Sequence, residues 1–249
     1  MIGLSGVVVV SGAASGIGRA SAQYFAECGA SVIGCDLNGE GLSTLACGRI
    51  KTVTADLTRD DDCRKVANAA ADLGRVTGLF NCTGLELHGT VVSMPEDEWD
   101  RVIAANLKTI FLLSKHVLPH MIAGGGGSIV NMSSVQAIAT QRDVAAYTAT
   151  KGAVIAMTRV MAIDHGADKI RVTAICPGTI ETPLARAVAE MYSPGDPQKQ
   201  FDLWGSKHAI KRIGQPIEVA RLAAFLLSDD ASFITGSYHL VDGGLSAQL

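Results

Sequence analysis

Short apolar runs of strand length alternate with longer amphipathic segments from one end of the chain to the other. Runs that are apolar on both faces predict strands of a parallel sheet, because helices cover both sides of such a sheet. The predicted strands are Val7–Ser11, Ser31–Cys35, Thr52–Ala55, Gly78–Asn81, Ser128–Met132, Arg171–Ile175 and Ser237–Val241. The predicted helices are Gly16–Cys28, Asp60–Leu73, Glu96–Met121, Ala145–His165 and Val219–Leu227. We therefore expect one α/β domain over residues 1–249, with a doubly wound, seven-stranded parallel sheet and helices on both faces.

One segment departs from this alternation. Thr182–Gln215 contains Pro183, Pro194 and Pro197 and several large apolar side chains. Long irregular segments within compact domains are usually functional, and this one follows the carboxyl end of a predicted strand. It is interpreted as an irregular insertion that forms a lid over a substrate.

Composition and charge exclude several classes of function. Hydrophobic residues make up 48% of the chain and charged residues 18%, which favours a folded domain with a large core. A net charge of -3 gives no basic surface for a nucleic acid. No apolar run is long enough to cross a membrane, and the first residues lack a charged leader, so we expect a cytoplasmic protein. The six cysteines and six histidines have no metal-ligand spacing, so we expect no metal site.

A glycine-rich turn follows the first predicted strand and opens the first predicted helix. Its sequence is Gly12-Ala13-Ala14-Ser15-Gly16-Ile17-Gly18. Glycines allow a tight turn, and they let backbone N–H groups at the helix N-terminus approach a pyrophosphate. The turn predicts cofactor contacts at Gly12, Ser15, Gly16, Ile17 and Gly18.

An acidic residue, Asp36, stands at the end of the second predicted strand. At this place a carboxylate can accept hydrogen bonds from the adenosine ribose hydroxyls, and it repels the extra phosphate of NADP. Residues 13–15 contain no Arg or Lys that would hold such a phosphate, so NAD is the predicted cofactor. The neighbouring Leu37, and Asp56 with Leu57 after the third strand, are further predicted contacts.

Tyr147 and Lys151 are four residues apart and share one face of a predicted helix. A phenol with a pKa near 10 is a poor base at neutral pH, and a nearby ammonium group favours the phenolate. The same spacing is common on amphipathic helices. Ser133 and Ser134, however, end the preceding strand and place two hydroxyls at the carboxyl edge of the sheet.

Together, the glycine turn, Ser134 and Tyr147-Thr148-Ala149-Thr150-Lys151 resemble the short-chain dehydrogenase/reductase family. The resemblance covers essentially the whole chain and implies a Rossmann fold and hydride transfer at a carbinol carbon. It implies that Ser134 binds the substrate oxygen, that Tyr147 moves the proton, and that Lys151 lowers the tyrosine pKa and binds the nicotinamide ribose. It also implies that Asn106 kinks the long helix and holds a water that links to Lys151.

Further cofactor contacts are implied by the resemblance. The segment Pro177–Pro183 resembles the loop beside the nicotinamide, and Asn81 and Gly84 keep the family's turn after the fourth strand, where Thr83 adds bulk. The implied cofactor residues are Asn81, Gly84, Tyr147, Lys151, Pro177, Gly178, Ile180 and Thr182. The family also implies a homotetramer, assembled through the two long helices and the last strand.

The substrate is left open between several classes. The chain most resembles the subgroup of type 2 3-hydroxybutyrate dehydrogenases and 2-keto-3-deoxy-L-fuconate dehydrogenases, which implies a small hydroxy acid, sugar or sugar acid. The candidate substrate residues are Gln136, Arg142 and Lys207. Alternatives are a neutral polyol in a polar pocket formed by Glu86, His88, Gln136 and Gln141; a ring or steroid against Met191, Tyr192 and Trp204; or a 3-oxoacyl thioester. A non-enzymatic NAD sensor is disfavoured, because Tyr147 and Lys151 are both present.

Overall fold

The computed structural model describes residues 2–247, so positions 1, 248 and 249 of the predicted domain lie outside it. Seven strands form one sheet in the order β3-β2-β1-β4-β5-β6-β7, and every neighbouring pair is parallel. The strands are β1 (Val7–Ser11), β2 (Ser31–Asp36), β3 (Ile50–Thr54), β4 (Val76–Asn81), β5 (Gly127–Met132), β6 (Ile170–Pro177) and β7 (Tyr238–Val241). The prediction of a seven-stranded parallel sheet is confirmed. Individual ends differ by one or two residues, since β6, for example, extends to Pro177 to pair with Val241.

Helices cover both faces of the sheet. They are α1 (Gly16–Glu27), α2 (Gly39–Ser43), α3 (Asp60–Leu73), α4 (Glu96–Ile103), α5 (Thr109–Ala123), α6 (Ala145–His165), α7 (Pro183–Tyr192), α8 (Pro197–Lys207) and α9 (Pro216–Leu227). Successive residues of β1 explain the two layers. Val8 and Val10 pack with α1 and α9, whereas Val7 and Val9 pack with α3, α5 and α6. Because both sets are buried, β1 has no polar face.

The predicted long helix Glu96–Met121 is interrupted. A π-helical turn over Ala104–Lys108 joins α4 to α5, and Asn106 lies fully buried within it. Single π turns inside α-helices frequently occur at functional sites. The kink expected at Asn106 therefore takes the form of an additional residue in one helical turn.

The prediction of an irregular Thr182–Gln215 insertion is wrong, because most of this segment is helical. Pro183 and Pro197 each occupy the first turn of a helix, where the missing proline N–H removes no hydrogen bond. The side chains of Thr182 and Asp196 cap these helices by accepting hydrogen bonds from backbone N–H groups at 3.1 Å. We call residues 182–215 the lid segment.

The surface of the two long helices carries exposed apolar side chains. They include Phe111 on α5 and Val160 and Ile163 on α6. These are the helices through which the resemblance implies contact between subunits, and the homotetramer stays a prediction. Within residues 2–247, no helix combines the length and apolar character needed to span a membrane.

Candidate active site

A cleft of about 660 Å³ opens at the carboxyl ends of the strands. The chain leaves β1 toward β2 on one side and returns to β4 on the other, and ligands of doubly wound sheets bind where the strand order reverses in this way. The predicted site residues that line the cleft are Gly12, Ser15, Gly16, Ile17, Gly18, Asp36, Gly84, Ser134, Gln136, Tyr147, Lys151, Pro177, Gly178, Ile180, Thr182 and Lys207. Those that do not line it are Leu37, Asp56, Leu57, Asn81, Asn106 and Arg142.

The glycine turn has the conformation that a phosphate-binding loop requires. Gly12 and Gly16 have φ of +68° and +53°, in the left-handed region that favours glycine. A Cβ atom at Gly12 would lie 3.1 Å from the backbone of Cys82, so the turn packs closely against the end of β4. Within residues 2–247, Ser15 makes no side-chain capping hydrogen bond at the start of α1. The N–H groups of this helix end can therefore bind an anion.

Gly18 is required for packing, although its backbone conformation is ordinary. A Cβ atom at this position would overlap the Gly12 carbonyl oxygen. We expect Gly18→Ala to lower the free energy of unfolding by about 2–3 kcal/mol, the usual cost of overpacking, and to weaken NAD binding. Chemical denaturation and NAD titration would measure both effects. Gly152→Ala on α6 is the matched control, because a Cβ atom there meets nothing within 4 Å; equal stability of the two variants would contradict the prediction.

At the end of the cleft where the adenosine of NAD is expected to bind, the side chain of Asp36 carries a negative charge. The Asp36 carboxylate accepts hydrogen bonds from the backbone N–H groups of Ala14, at 3.1 Å, and Asn38, at 2.9 Å. The nearby Arg19 guanidinium donates to the carbonyl oxygens of Gly41 and Thr44, at 3.0 and 2.9 Å. Since Arg19 is held against the end of α2, Asp36 is the charge that this region presents to the cleft.

The other predicted contacts at this end lie outside the cleft. The Asp56 carboxylate accepts hydrogen bonds from the hydroxyl and N–H of Thr58, at 2.7 and 3.0 Å, and the hydroxyl bond is the main reason that its pKa is lowered. Leu57 is buried in the core, and the Leu37 side chain is 72% exposed. Asn81 donates to Asn131 Oδ1 at 2.9 Å and so joins β4 to β5.

Ser134, Tyr147 and Lys151 meet at the opposite end of the cleft. Ser134 follows β5 and begins a short 3₁₀ turn, while Tyr147 and Lys151 lie one turn apart on α6. Lys151 Nζ lies 5.3 Å from the centroid of the Tyr147 ring and donates a hydrogen bond to the Met132 carbonyl at 3.0 Å. The Ser134 hydroxyl forms a hydrogen bond with Tyr147. The arrangement can hold an oxygen atom and exchange a proton with it.

Burial dominates the acid–base properties of this pair. It raises the pKa of the Tyr147 phenol above its usual range, the Glu86 carboxylate raises it further, and the hydrogen bond from Ser134 opposes the change. Burial also lowers the pKa of Lys151 to about 8. The lowering of the tyrosine pKa that is expected from Lys151 together with a bound nicotinamide cation stays a prediction.

Known proteins resemble this chain over almost its whole length. A family model described as enoyl-(acyl carrier protein) reductase matches residues 12–246. The dehydrogenase/reductase SDR family member 6 of Aquarana catesbeiana is 37% identical over 96% of this chain and 97% of the relative. The meso-2,3-butanediol dehydrogenase of Serratia marcescens is 37% identical over 97% of this chain and 94% of the relative. The solved structure of Thermoplasma acidophilum aldohexose dehydrogenase superimposes with a TM-score of 0.92, at 38% identity over 98% of this chain and 95% of that one.

The chain belongs to the short-chain dehydrogenase/reductase family. Both the family match and the agreement of the folds extend over almost the whole sequence, so the resemblance found in the motifs is confirmed. The chain is accordingly an oxidoreductase with a Rossmann-type fold.

In this short-chain dehydrogenase, Asn106 lies behind the cleft. Its side-chain amide donates to the Leu85 carbonyl at 2.9 Å and to Thr150 Oγ1 at 3.1 Å, and its oxygen accepts from the Leu85 N–H at 2.7 Å. Asn106 thus connects the loop after β4 to α6. A Cβ atom at Gly84 would lie 3.6 Å from both Asn106 Oδ1 and Lys151 Nζ, so the two groups lie side by side next to Gly84. The water-linked relay through Asn106 stays a prediction.

Of the three residues predicted to contact the substrate, two line the cleft and one does not. Arg142 is exposed and lies outside the cleft. The next residue, Asp143, has a positive φ of 61°. Gln136 follows Ser134 in the 3₁₀ turn, and Lys207 is contributed by the end of α8. Over the described residues, no group of three or more His, Cys, Asp or Glu side chains is placed to hold a metal ion.

His208 lines the cleft and was not among the predicted residues. It is buried at the end of α8, where its Nε2 accepts a hydrogen bond from the Thr179 N–H at 3.3 Å and its Nδ1 lies 2.9 Å from the Trp204 carbonyl. It therefore joins the lid segment to the loop after β6. No local pattern marks this single histidine, since its role depends on contacts between distant segments.

Proposed function

We propose that this chain is an NAD-dependent dehydrogenase that interconverts a secondary alcohol and a ketone. The observation that carries the proposal is that one cleft brings Ser134, Tyr147 and Lys151 to one end and the glycine turn with Asp36 to the other. The first group suits a proton transfer at an oxygen atom, and the second suits a dinucleotide with free ribose hydroxyls. The family relationship supports an oxidoreductase of this kind.

The residues at the cofactor end fit NAD. The pyrophosphate would bind at the start of α1, the adenosine ribose at Asp36, and the nicotinamide beside the loop Pro177–Thr182, which lies across the cleft from Tyr147. When bound, NAD supplies a hydride acceptor and a positive charge next to the phenol.

The chain's own residues move the proton. In the direction of oxidation, Ser134 holds the substrate oxygen by a hydrogen bond, and the Tyr147 phenolate takes the proton from that oxygen. With NAD held in the cleft, the carbinol C–H bond would supply the hydride that the nicotinamide accepts, so that loss of this proton and of the hydride together would leave a carbonyl. Lys151 binds the nicotinamide ribose and favours the phenolate by its charge. Because burial keeps the tyrosine pKa high, the positive charges around the phenol are needed to form the base.

The proposal is tested by supplying the purified protein with NAD and a panel of secondary alcohols. The panel contains polyols, sugars, sugar acids, hydroxy acids, cyclic alcohols and a 3-hydroxyacyl thioester, and the readout is the appearance of NADH absorbance. We expect turnover on at least one class, with NAD preferred over NADP. Binding of NAD without turnover of any class would contradict the enzyme and favour a non-enzymatic NAD sensor. Turnover of the thioester alone would favour the 3-oxoacyl thioester as the substrate.

A further inference from the structure

A second acidic side chain, Glu86, enters the cleft on the substrate side. It stands two residues beyond Gly84, in the loop that follows β4. The preceding residue, Leu85, is fixed by the amide of Asn106 through both its N–H and its carbonyl. This double hydrogen bond sets the direction of the backbone at Glu86, and the Glu86 side chain is only 13% exposed.

Within residues 2–247, the Glu86 carboxylate accepts no hydrogen bond from the protein and stays partly accessible from the cleft. Across residues 2–247, the close partner of this group is His88, whose Nε2 lies 3.6 Å from Oε1, which is beyond hydrogen-bond distance. Burial raises the pKa of Glu86, and the charges of His88 and Lys151 oppose this change. A largely desolvated carboxylate is stabilised by each hydrogen bond that it accepts, and a ligand hydroxyl in the cleft would donate one.

Two neighbouring polar atoms are also unpaired. Gln136 Oε1 and His88 Nε2 are buried and have no hydrogen-bond partner within the part of the chain that the structure describes. Gln136 and Glu86 both line the cleft together with Tyr147 and Ser134. The wall of the cleft beside the catalytic hydroxyls therefore presents two acceptor groups, the Glu86 carboxylate and Gln136 Oε1, and the O–H groups of a substrate can donate to both.

The lid segment holds this wall in place. Tyr192 at the end of α7 places its hydroxyl 3.4 Å from His88 Nδ1, and its ring packs edge-on against His88 at 5.8 Å. The other side of Tyr192 packs against Trp204 of α8, which lines the cleft. His88, beside Glu86, is thus positioned by the lid segment.

We propose that Glu86 is a specificity-determining residue that accepts a hydrogen bond from a second hydroxyl of a neutral, polyhydroxylated substrate. This inference rests on the proposed function, since it names the substrate class of the same site. A hydroxy acid or sugar acid would bring a carboxylate, which carries only acceptors, next to the acceptors of Glu86 and Gln136. The like charges of Glu86 and the substrate would repel each other. Of the two cations predicted to contact the substrate, Arg142 lies outside the cleft and Lys207 lines it, so Lys207 is the group that would oppose this repulsion.

The test compares neutral and acidic substrates that share a carbon skeleton. The probes are meso-2,3-butanediol with 3-hydroxybutanoate, and xylitol with xylonate. We expect the natural chain to show a kcat/KM at least about tenfold higher for the neutral member of each pair. In Glu86→Gln, the kcat/KM for the neutral member falls by about tenfold or more, mainly through KM, and the preference over the acid narrows or reverses.

Two variants serve as controls. Glu27→Gln removes the same charge from an exposed position at the end of α1, and it is expected to leave the preference unchanged. Glu86→Asp keeps the charge on a shorter side chain, so we expect a higher KM with the neutral preference retained. Thermal unfolding and NAD titration of each variant show whether a loss of activity reflects loss of the fold.

The outcomes separate this inference from the proposed function. Two results would overturn the role of Glu86 and leave the proposed dehydrogenase activity standing. One is a higher kcat/KM for the acids than for the neutral probes, and the other is a neutral-to-acid ratio of kcat/KM that Glu86→Gln leaves unchanged. If folded Glu86→Gln binds NAD and loses the neutral preference while Glu86→Asp keeps it, the role is supported. A natural chain that binds NAD and oxidises none of the four probes or the wider panel overturns the proposed function and this inference with it.

Discussion

Tyr147→Phe is expected to lower the rate of alcohol oxidation by about 1,000-fold or more, within the range that a positioned proton-transfer group supplies. The substitution removes a single hydroxyl from a half-buried ring, and the ring retains its contact with the Lys151 ammonium. NAD binding should change little, since the pyrophosphate and adenosine ribose contacts lie at the other end of the cleft and Lys151 is unchanged. Steady-state kcat with NAD and the best alcohol of the panel, together with NAD titration, measures both effects.

Tyr24→Phe is the matched control for this prediction. It also removes one phenol hydroxyl, but Tyr24 lies on α1 and does not line the cleft. We expect the activity of this variant to equal that of the natural chain. A Tyr147→Phe enzyme that retains more than about a tenth of the natural rate would remove Tyr147 from the proton-transfer step, because the remaining groups could not replace a positioned base so closely.

Asp36→Ala is expected to change the cofactor preference. A charge pair about 4 Å apart near a protein surface interacts by about 4 kcal/mol, so the repulsion of an additional phosphate by Asp36 corresponds to about 100- to 1,000-fold in affinity. The natural chain should therefore use NAD far better than NADP. In Asp36→Ala, the ratio of kcat/KM for NADP to that for NAD should rise by about 100-fold or more, and the variant should also lose affinity for NAD.

Asp230→Asn is the matched control, because it removes one acidic charge from the protein and leaves the cleft unchanged. Asp230 is exposed after α9, and it does not line the cleft. Its substitution should leave the cofactor ratio unchanged. If the natural chain used NADP better than NAD, the assignment of Asp36 would be wrong, and Arg19 would be the first residue to reconsider, since its guanidinium lies near the same turn.

The sheet and the glycine turn could be predicted because local sequence determines them. Val7–Val10 is buried on both sides, and a strand of this kind requires helices on both faces whatever the rest of the chain does. Gly12 and Gly16 stand where the chain needs a positive φ, which few other residues adopt. Both features are visible within a few consecutive residues.

The helices of the lid segment were not predicted because a proline can either end a helix or occupy its first turn. Pro183 and Pro197 ended the helical pattern when read as breakers, whereas each in fact starts a helix behind a capping side chain. Thr182 and Asp196 were the local signals that would have distinguished the two cases.

The remaining differences arise from tertiary structure. The spacing of Tyr147 and Lys151 predicted their proximity correctly, but the direction of the tyrosine pKa depends on burial by segments far away in sequence. The same is true of Arg142, whose charge suggested a substrate contact and which the fold leaves exposed outside the cleft. Charge and spacing can be read from a sequence, whereas desolvation and orientation require the fold.

The π turn at Ala104–Lys108 also sets the rotational phase between α4 and α5. Each residue of an α-helix advances the chain by about 100° around the axis, and a π turn contains one residue more than an α turn. Removing one residue there would restore an uninterrupted α-helix, but it would rotate α5 by about 100° relative to α4. Leu113 and Val117, now buried against the sheet, would then turn away from it. The length of this segment is therefore constrained as strictly as the identity of Asn106. The apolar side chains of α5 must pack against the sheet while Asn106 reaches the loop at Leu85.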